Sequence, residues 1–268
     1  MTDSHDVFRS PPIDEVLIAV AFAPVPKFQA MSAAELWQES KSQYPQMEER
    51  PPVIQTLERF DNPSDPQMIE FPTDYRRYWL LSADGTRLMQ LQRDFFAVNW
   101  RKQTGDEVYP GFEGSVRPMF EEGWSRLVAH IANGLQGEVV PLQCEVTYIN
   151  MIPKGEGWTD FGGLSGVISP WSGKLNCDSL PHPERVALSV TFLRPDVKGR
   201  VAVAVNPGTR KRDDRDIIRI AITSRVLLDG VSPADLLGHI DGAHDWAGRA
   251  FAGMADPEIM RLWGAECR

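Results

Sequence analysis

From residue 88 to residue 101 the chain reads LMQLQRDFFAVNWR, and its second part alternates in character. Phe96, Val98 and Trp100 fall on one side and Ala97, Asn99 and Arg101 on the other, as a strand half buried against a core requires. Asp84 and Gly85, just upstream, are the pair that two-residue hairpin turns favour, because both central residues of such a turn need positive φ. Residues 78–81 and the segment from 88 onward are therefore predicted as antiparallel neighbours, with 88–101 the central strand of the first half.

The remaining pattern supplies elements on either side. Residues 15–22 (EVLIAVAF) form a short apolar run closed by prolines, a buried strand. Ser32, Ala33, Ala34 and Glu35 have the spacing of a capping box, predicting a helix of about ten residues that Tyr44 and Pro45 end. Residues 53–60 and 67–71 read as strands separated by a dense turn signal. Phe112, Val116, Phe120, Trp124, Leu127 and Ile131 recur near the helical period, so a long helix is expected over 112–133, kinked at Pro118 or beginning there.

The second half repeats this order. Residues 143–152 form a strand closed by Pro153, 160–171 a short helix within a Gly/Ser/Pro-rich connection, 185–193 and 201–205 two strands, and 217–228 the counterpart of the central strand. Ser232 as cap and Pro233 at the first helical position open a helix whose buried stripe is Leu236, Ile240, Ala243, Ala247 and Phe251. At an offset of about 128 residues the element order repeats while residue identity is slight. The predicted fold class is α+β, a duplicated β-α-β-β-β-α unit with antiparallel sheets covered by long helices and pseudo-twofold symmetry. Residues 1–10 are expected to be a disordered terminus, 11–137 the first unit and 138–268 the second, packed together as one sheet or as two.

Composition narrows the function classes. The 268 residues are 42% hydrophobic and 24% charged, which suits a folded globular protein, and the formal net charge of −9 disfavours nucleic-acid binding by the surface as a whole. Cys144, Cys177 and Cys267 lack disulfide or zinc spacing, pointing to a reducing compartment. No run approaches the roughly 18 apolar residues of a membrane span, so a cytoplasmic protein is expected.

Motifs for chemistry are sparse. His239 and His244 are not spaced to share a helix face as a zinc pair would, so no metal is expected. Cys177 lies near His182 in a loop, without the turn that presents a nucleophile. The glycine clusters of 154–166 match no phosphate-binding pattern, and no cofactor is implied. Arg210, Lys211 and Arg212 are followed by Asp213, Asp214 and Asp216, the marks of a solvated hairpin tip. The remaining binding candidates are Asn99 and Arg101, the alternating Tyr148 and Asn150 on the strand that opens the second half, and Trp158 and Trp171 in the 154–183 loop; Asn and Arg offer fixed, directional hydrogen bonds.

The same residues carry a resemblance. Pro11, Pro12, Ile13, Glu15 and Val16, then Gln90 to Arg93 leading into Asn99, Trp100 and Arg101, then Tyr109 with Pro110 and Gln143 with Tyr148 to Asn150, resemble the motifs of a sporadically distributed bacterial family of similar length and no assigned activity. The resemblance supplies no catalytic residues; its patchy distribution implies a mobile gene, as in toxin–antitoxin and phage-defence loci. Three readings stay open. The first is a non-enzymatic interaction protein, accessory, immunity or antitoxin-like, whose partner is another protein. The second is a sensor or carrier of a small molecule such as a nucleotide or metabolite. The third is an enzyme whose site forms only in the fold.

Overall fold

A computed structural model describes residues 10–60, 67–68, 76–174 and 179–264. In chain order they form β1 (Ile13–Phe22), α1 (Ala30–Ser40), β2 (Gln46–Arg50), β3 (Thr56–Leu57), β4 (Gln67–Met68), β5 (Arg77–Leu81), β6 (Arg87–Gln92), β7 (Phe95–Arg101), α2 (Arg117–Ala129), β8 (Pro141–Pro153), β9 (Leu188–Leu193), β10 (Gly199–Arg210), β11 (Arg215–Leu227), α3 (Leu236–Met254) and α4 (Pro257–Leu262). Nine of the strands make one sheet in the order β2-β5-β6-β7-β1-β8-β11-β10-β9, and β3 pairs with β4 apart from it. Each described pairing is antiparallel.

Register decides what each face carries, since side chains alternate along a strand. Val16, Val98 and Phe96 of the centre share a face with Val146 and Ile222, and α1, α2 and α3 pack on that side to make the main core. In α3 the buried positions Leu236, Ile240, Ala243, Ala247 and Phe251 follow the predicted stripe. Gly123 lets α2 lie close to the sheet, because an added Cβ would come within 2.7 Å of Met89 Cε and 2.8 Å of Phe96 Cζ.

The second face has no helix among the described residues. Residues 51–60 cross it as a strap, held by side-chain amides. Gln92 accepts from Val53 N and donates to Val53 O, both at 2.9 Å, while Gln143 accepts from Glu58 N at 2.9 Å and donates to Thr56 O at 3.0 Å. Glu58 meets Arg200 and Arg225, and Arg225 also reaches Glu145 at 2.7 Å.

Several expectations are corrected. Residues 88–101 are a hairpin, β6 and β7, turning at Arg93 and Asp94. The loop at Asp84 and Gly85 spans residues 82–86 with positive φ at Gly85 alone, so it is longer than a two-residue turn. Ser32 does not cap α1: Gln29 holds that position and Ser32 is its reciprocal partner. Likewise Asp235 precedes α3, and Ser232 Oγ donates to the Asp235 carboxylate within a turn. In the first half, residues 53–60 contribute only Thr56–Leu57 as strand, and β2 was not anticipated. Two single turns of π-helix, Phe112–Val116 and His130–Gly134, flank α2, which begins beside Pro118. The 160–171 segment holds one 3₁₀ turn, Leu164–Gly166. The two halves share one sheet through the β1–β8 pairing. The terminal residues 1–9, Cys177 and Cys267 lie outside the described residues.

Candidate functional site

A cavity of ≈ 790 Å³ opens on the helical side, where the start of β1, the 102–114 loop, β8 and the second half of α3 meet. Its polar wall is built from β8 and α3. Tyr148 Oη lies 2.8 Å from His244 Nδ1, and the buried Asn150 donates to the Ile220 carbonyl at 3.4 Å. The His244 ring stacks on Phe112 with centroids 3.9 Å apart and planes 5° from parallel, which fixes the imidazole. Tyr109 stands edge-on to Tyr148 at 6.4 Å and packs on Trp100 at 5.1 Å.

These hydroxyls are neutral at physiological pH. Burial first, and then the neighbouring Tyr109, keep Tyr148 well above the ordinary phenol range, and burial pushes Tyr109 up to about 12. Tyr148 can therefore donate or accept a hydrogen bond but does not supply a phenolate. Lys102 and Arg249 line the cavity together with Asp106, Glu107 and Glu113. Of these, Glu107 is engaged internally. Burial alone would raise its pKa, yet the N–H groups of Thr104, Gly105 and Gln103 outweigh that and hold it at about 2.

Glycines shape the cavity. Gly111, with φ +90°, and Gly114 and Gly248 would each place an added Cβ in open space, so side chains there would project into volume that is now free.

The sequence-predicted residues do not converge. Tyr148 and Asn150 belong to the helical face and line the cavity; Asn99 and Arg101 lie on the other face, because Val16 pairs with both Trp100 and Tyr148 and so puts those two on the helical side. Asn99 donates to Glu15 at 2.5 Å and accepts from Gln90 at 2.7 Å, and Arg101 Nε donates to the Gly85 carbonyl at 3.1 Å. Burial, the dominant influence, raises the Glu15 pKa against the Asn99 hydrogen bond and the Arg101 charge. Trp158 is buried and donates to the Ile152 carbonyl at 3.1 Å, a structural role, and Trp171 packs half-buried against the core.

The 154–174 loop is tightly folded. Gly162 and Gly166 would bring an added Cβ within 2.0 Å and 2.2 Å of the Pro183 and Gly157 carbonyls, and backbone hydrogen bonds tie Ser169 to Met254 and Asp256 to Val167. Arg210 pairs with Asp213 and Arg212 reaches Asp14, so two of the three cations at the β10–β11 tip are engaged. Burial drives the Cys144 thiol up to about 12, which makes it unreactive.

His244, Phe112 and Gly248 were not anticipated as site residues. The signal lay in α3: His244, Gly248 and Ala252 form an i, i+4 row beside the apolar stripe, and small residues on such a row leave room next to a core. Among the described residues no group of three His, Cys, Asp or Glu could hold a metal, and no helix is long and apolar enough to cross a membrane. No family model, curated protein or solved structure matches the chain.

Proposed function

We propose that the protein binds a small organic molecule in the cavity between α3, β8 and the 102–114 loop. The observation that carries this is the convergence of Tyr148, His244 and Asn150 on one wall of a ≈ 790 Å³ space that Ile13, Phe112, Ala247 and Phe251 also line, with charged side chains of the 102–114 loop and Arg249 beside them. Ligand sites typically run about 300–1,000 Å³, largely apolar with a few placed polar groups. The ligand that fits has an apolar or aromatic body and a hydrogen-bonding head directed at the Tyr148–His244 pair.

The strand order supports a duplicated fold. β1-β7-β6-β5 in the first half answers β8-β11-β10-β9 in the second, with β2 added at one edge and the halves joined at β1–β8. On that reading the cavity sits at the seam of a pseudo-twofold, a setting where ligands often bind.

A protein partner is a second reading, favoured by the β9 edge. This strand carries no charge or proline to discourage pairing, and it leaves Phe192 42% and Leu193 67% exposed. An antitoxin-like or accessory role would be one form of it.

Native mass spectrometry of protein purified from its host, followed by thermal melts against any retained compound, tests the cavity reading. A bound ligand should raise the melting temperature of the wild-type chain by mass action. Gly248→Leu, which fills the cavity, should abolish that shift while melting near the wild-type temperature without ligand. The same shift in Gly248→Leu as in wild type would place the ligand elsewhere, and a retained protein with no small molecule would favour the second reading.

A further inference from the structure

On the sheet face opposite the cavity, three guanidinium groups gather around one indole. Arg50 from β2, Arg77 from β5 and Arg101 from β7 lie 4.5, 5.4 and 5.4 Å from the centre of the Trp79 ring. Register accounts for the gathering. Arg50 pairs with Arg77, Trp79 with Gln90 and Gln90 with Ala97, so these residues share the helix-free face with Asn99 and Arg101.

A directed chain of amides fixes this cluster from below. Glu15 accepts from Asn99, and Asn99 accepts from Gln90 at 2.7 Å. The remaining Gln90 oxygen accepts from Arg77 Nη1 at 2.9 Å and from Trp79 Nε1 at 3.1 Å. Because a carboxylate terminates one end, each amide can point only one way. The guanidiniums are thus held by neutral acceptors. Arg77 bonds an amide oxygen and Arg101 a backbone carbonyl, and among the described residues only Arg50 of the three makes a direct ion pair, with the half-exposed Glu48.

The cluster carries unspent cationic capacity. Arg77 Nε is buried and has no hydrogen-bond partner among the described residues. Its pKa is lowered, by burial first and then by the like charge of Arg50. Gathering three partly buried cations around one ring is costly through desolvation and mutual repulsion, and a bound anion would relieve it. Glu48 is set against Arg50 and the Glu15 carboxylate acts on Arg101 only across Asn99, so the forks of Arg77 and Arg101 bond no carboxylate directly among the described residues; arginine forks are suited to phosphate oxygens.

We propose that Arg50, Arg77 and Arg101 around Trp79 form a binding site for a dianionic phosphate group, free or carried on a small organic molecule. The site is separate from the cavity and does not depend on it.

The test is calorimetric titration of the full chain with inorganic phosphate and, in parallel, with adenosine monophosphate, at ionic strength held constant with chloride. One phosphate should bind per chain. The double substitution Arg50→Gln, Arg101→Gln should weaken it by roughly ten-fold or more, with circular dichroism and melting temperature unchanged. Arg101→Lys, which keeps the charge but loses the fork, should fall between. Tighter binding of the nucleotide would indicate an organic phosphate, and equal binding the free ion; either supports the site. No saturable binding of either probe, or binding that survives the double substitution, would overturn it.

Discussion

The carboxylate of Glu107 accepts from three consecutive backbone N–H groups, those of Gln103, Thr104 and Gly105, and so sets the shape of the loop that forms one cavity wall. Its folded pKa of about 2 lies below the ordinary 4.5. For a depressed carboxyl, the contribution is fully present above the ordinary value and is lost as pH falls toward and through the folded one. Glu107→Ala should therefore speed amide exchange at Thr104 and Gly105 relative to wild type at pH 7 and pH 5 by a similar factor. The difference should narrow by pH 3, and a gap that widened with acid would contradict the assignment.

At the scale of elements, α2 depends on the missing side chain at Gly123. Gly123→Val would drive atoms into Met89 and the Phe96 ring and should cost about 1–3 kcal/mol by overpacking, read as a lower denaturation midpoint in urea. The α3 stripe was legible because its burial is periodic; the β7 alternation sorted its residues onto two faces, but both faces are buried from Phe95 to Trp100, so the strand is not half buried as its pattern suggested. Where pairing was the cause, elements were not legible. β2 is QMEER, an edge strand whose polar sequence carries no apolar alternation. The β6–β7 turn at Arg93 and Asp94 has no glycine to mark it. Residues 53–60 look like strand material, but four of their described backbone bonds go to the side chains of Gln92 and Gln143. The site was legible in part for a related reason. Tyr148 and Asn150 stood out by alternation, yet which face they share is set by register with β1 and β11, and sequence spacing within β8 is silent on that.

The molecule is organised on the nine-stranded sheet, with its main core on one side of it, and β1 and β8 are flanked on both edges. The chain should unfold in a single cooperative transition. A fragment of residues 11–137 should give no cooperative melt, because β1 would lose its β8 edge and the core side would lose α3; a sharp transition from that fragment would show instead that the first half is self-sufficient.

The strap on the other side has its own consequence. Gln92 and Gln143 grip the peptide units of Val53, Thr56 and Glu58 and touch no side chain in doing so. They therefore cannot distinguish one amino acid from another, apart from proline at 53 or 58, which would lack the N–H they need. At Val53 and Thr56 the grip is on the peptide unit alone, so the side chain there can change while the path of the strap across the sheet stays the same; Glu58, whose carboxylate meets two arginines, and Phe60, whose ring lies 4.3 Å from the Arg200 guanidinium, are held by their side chains as well.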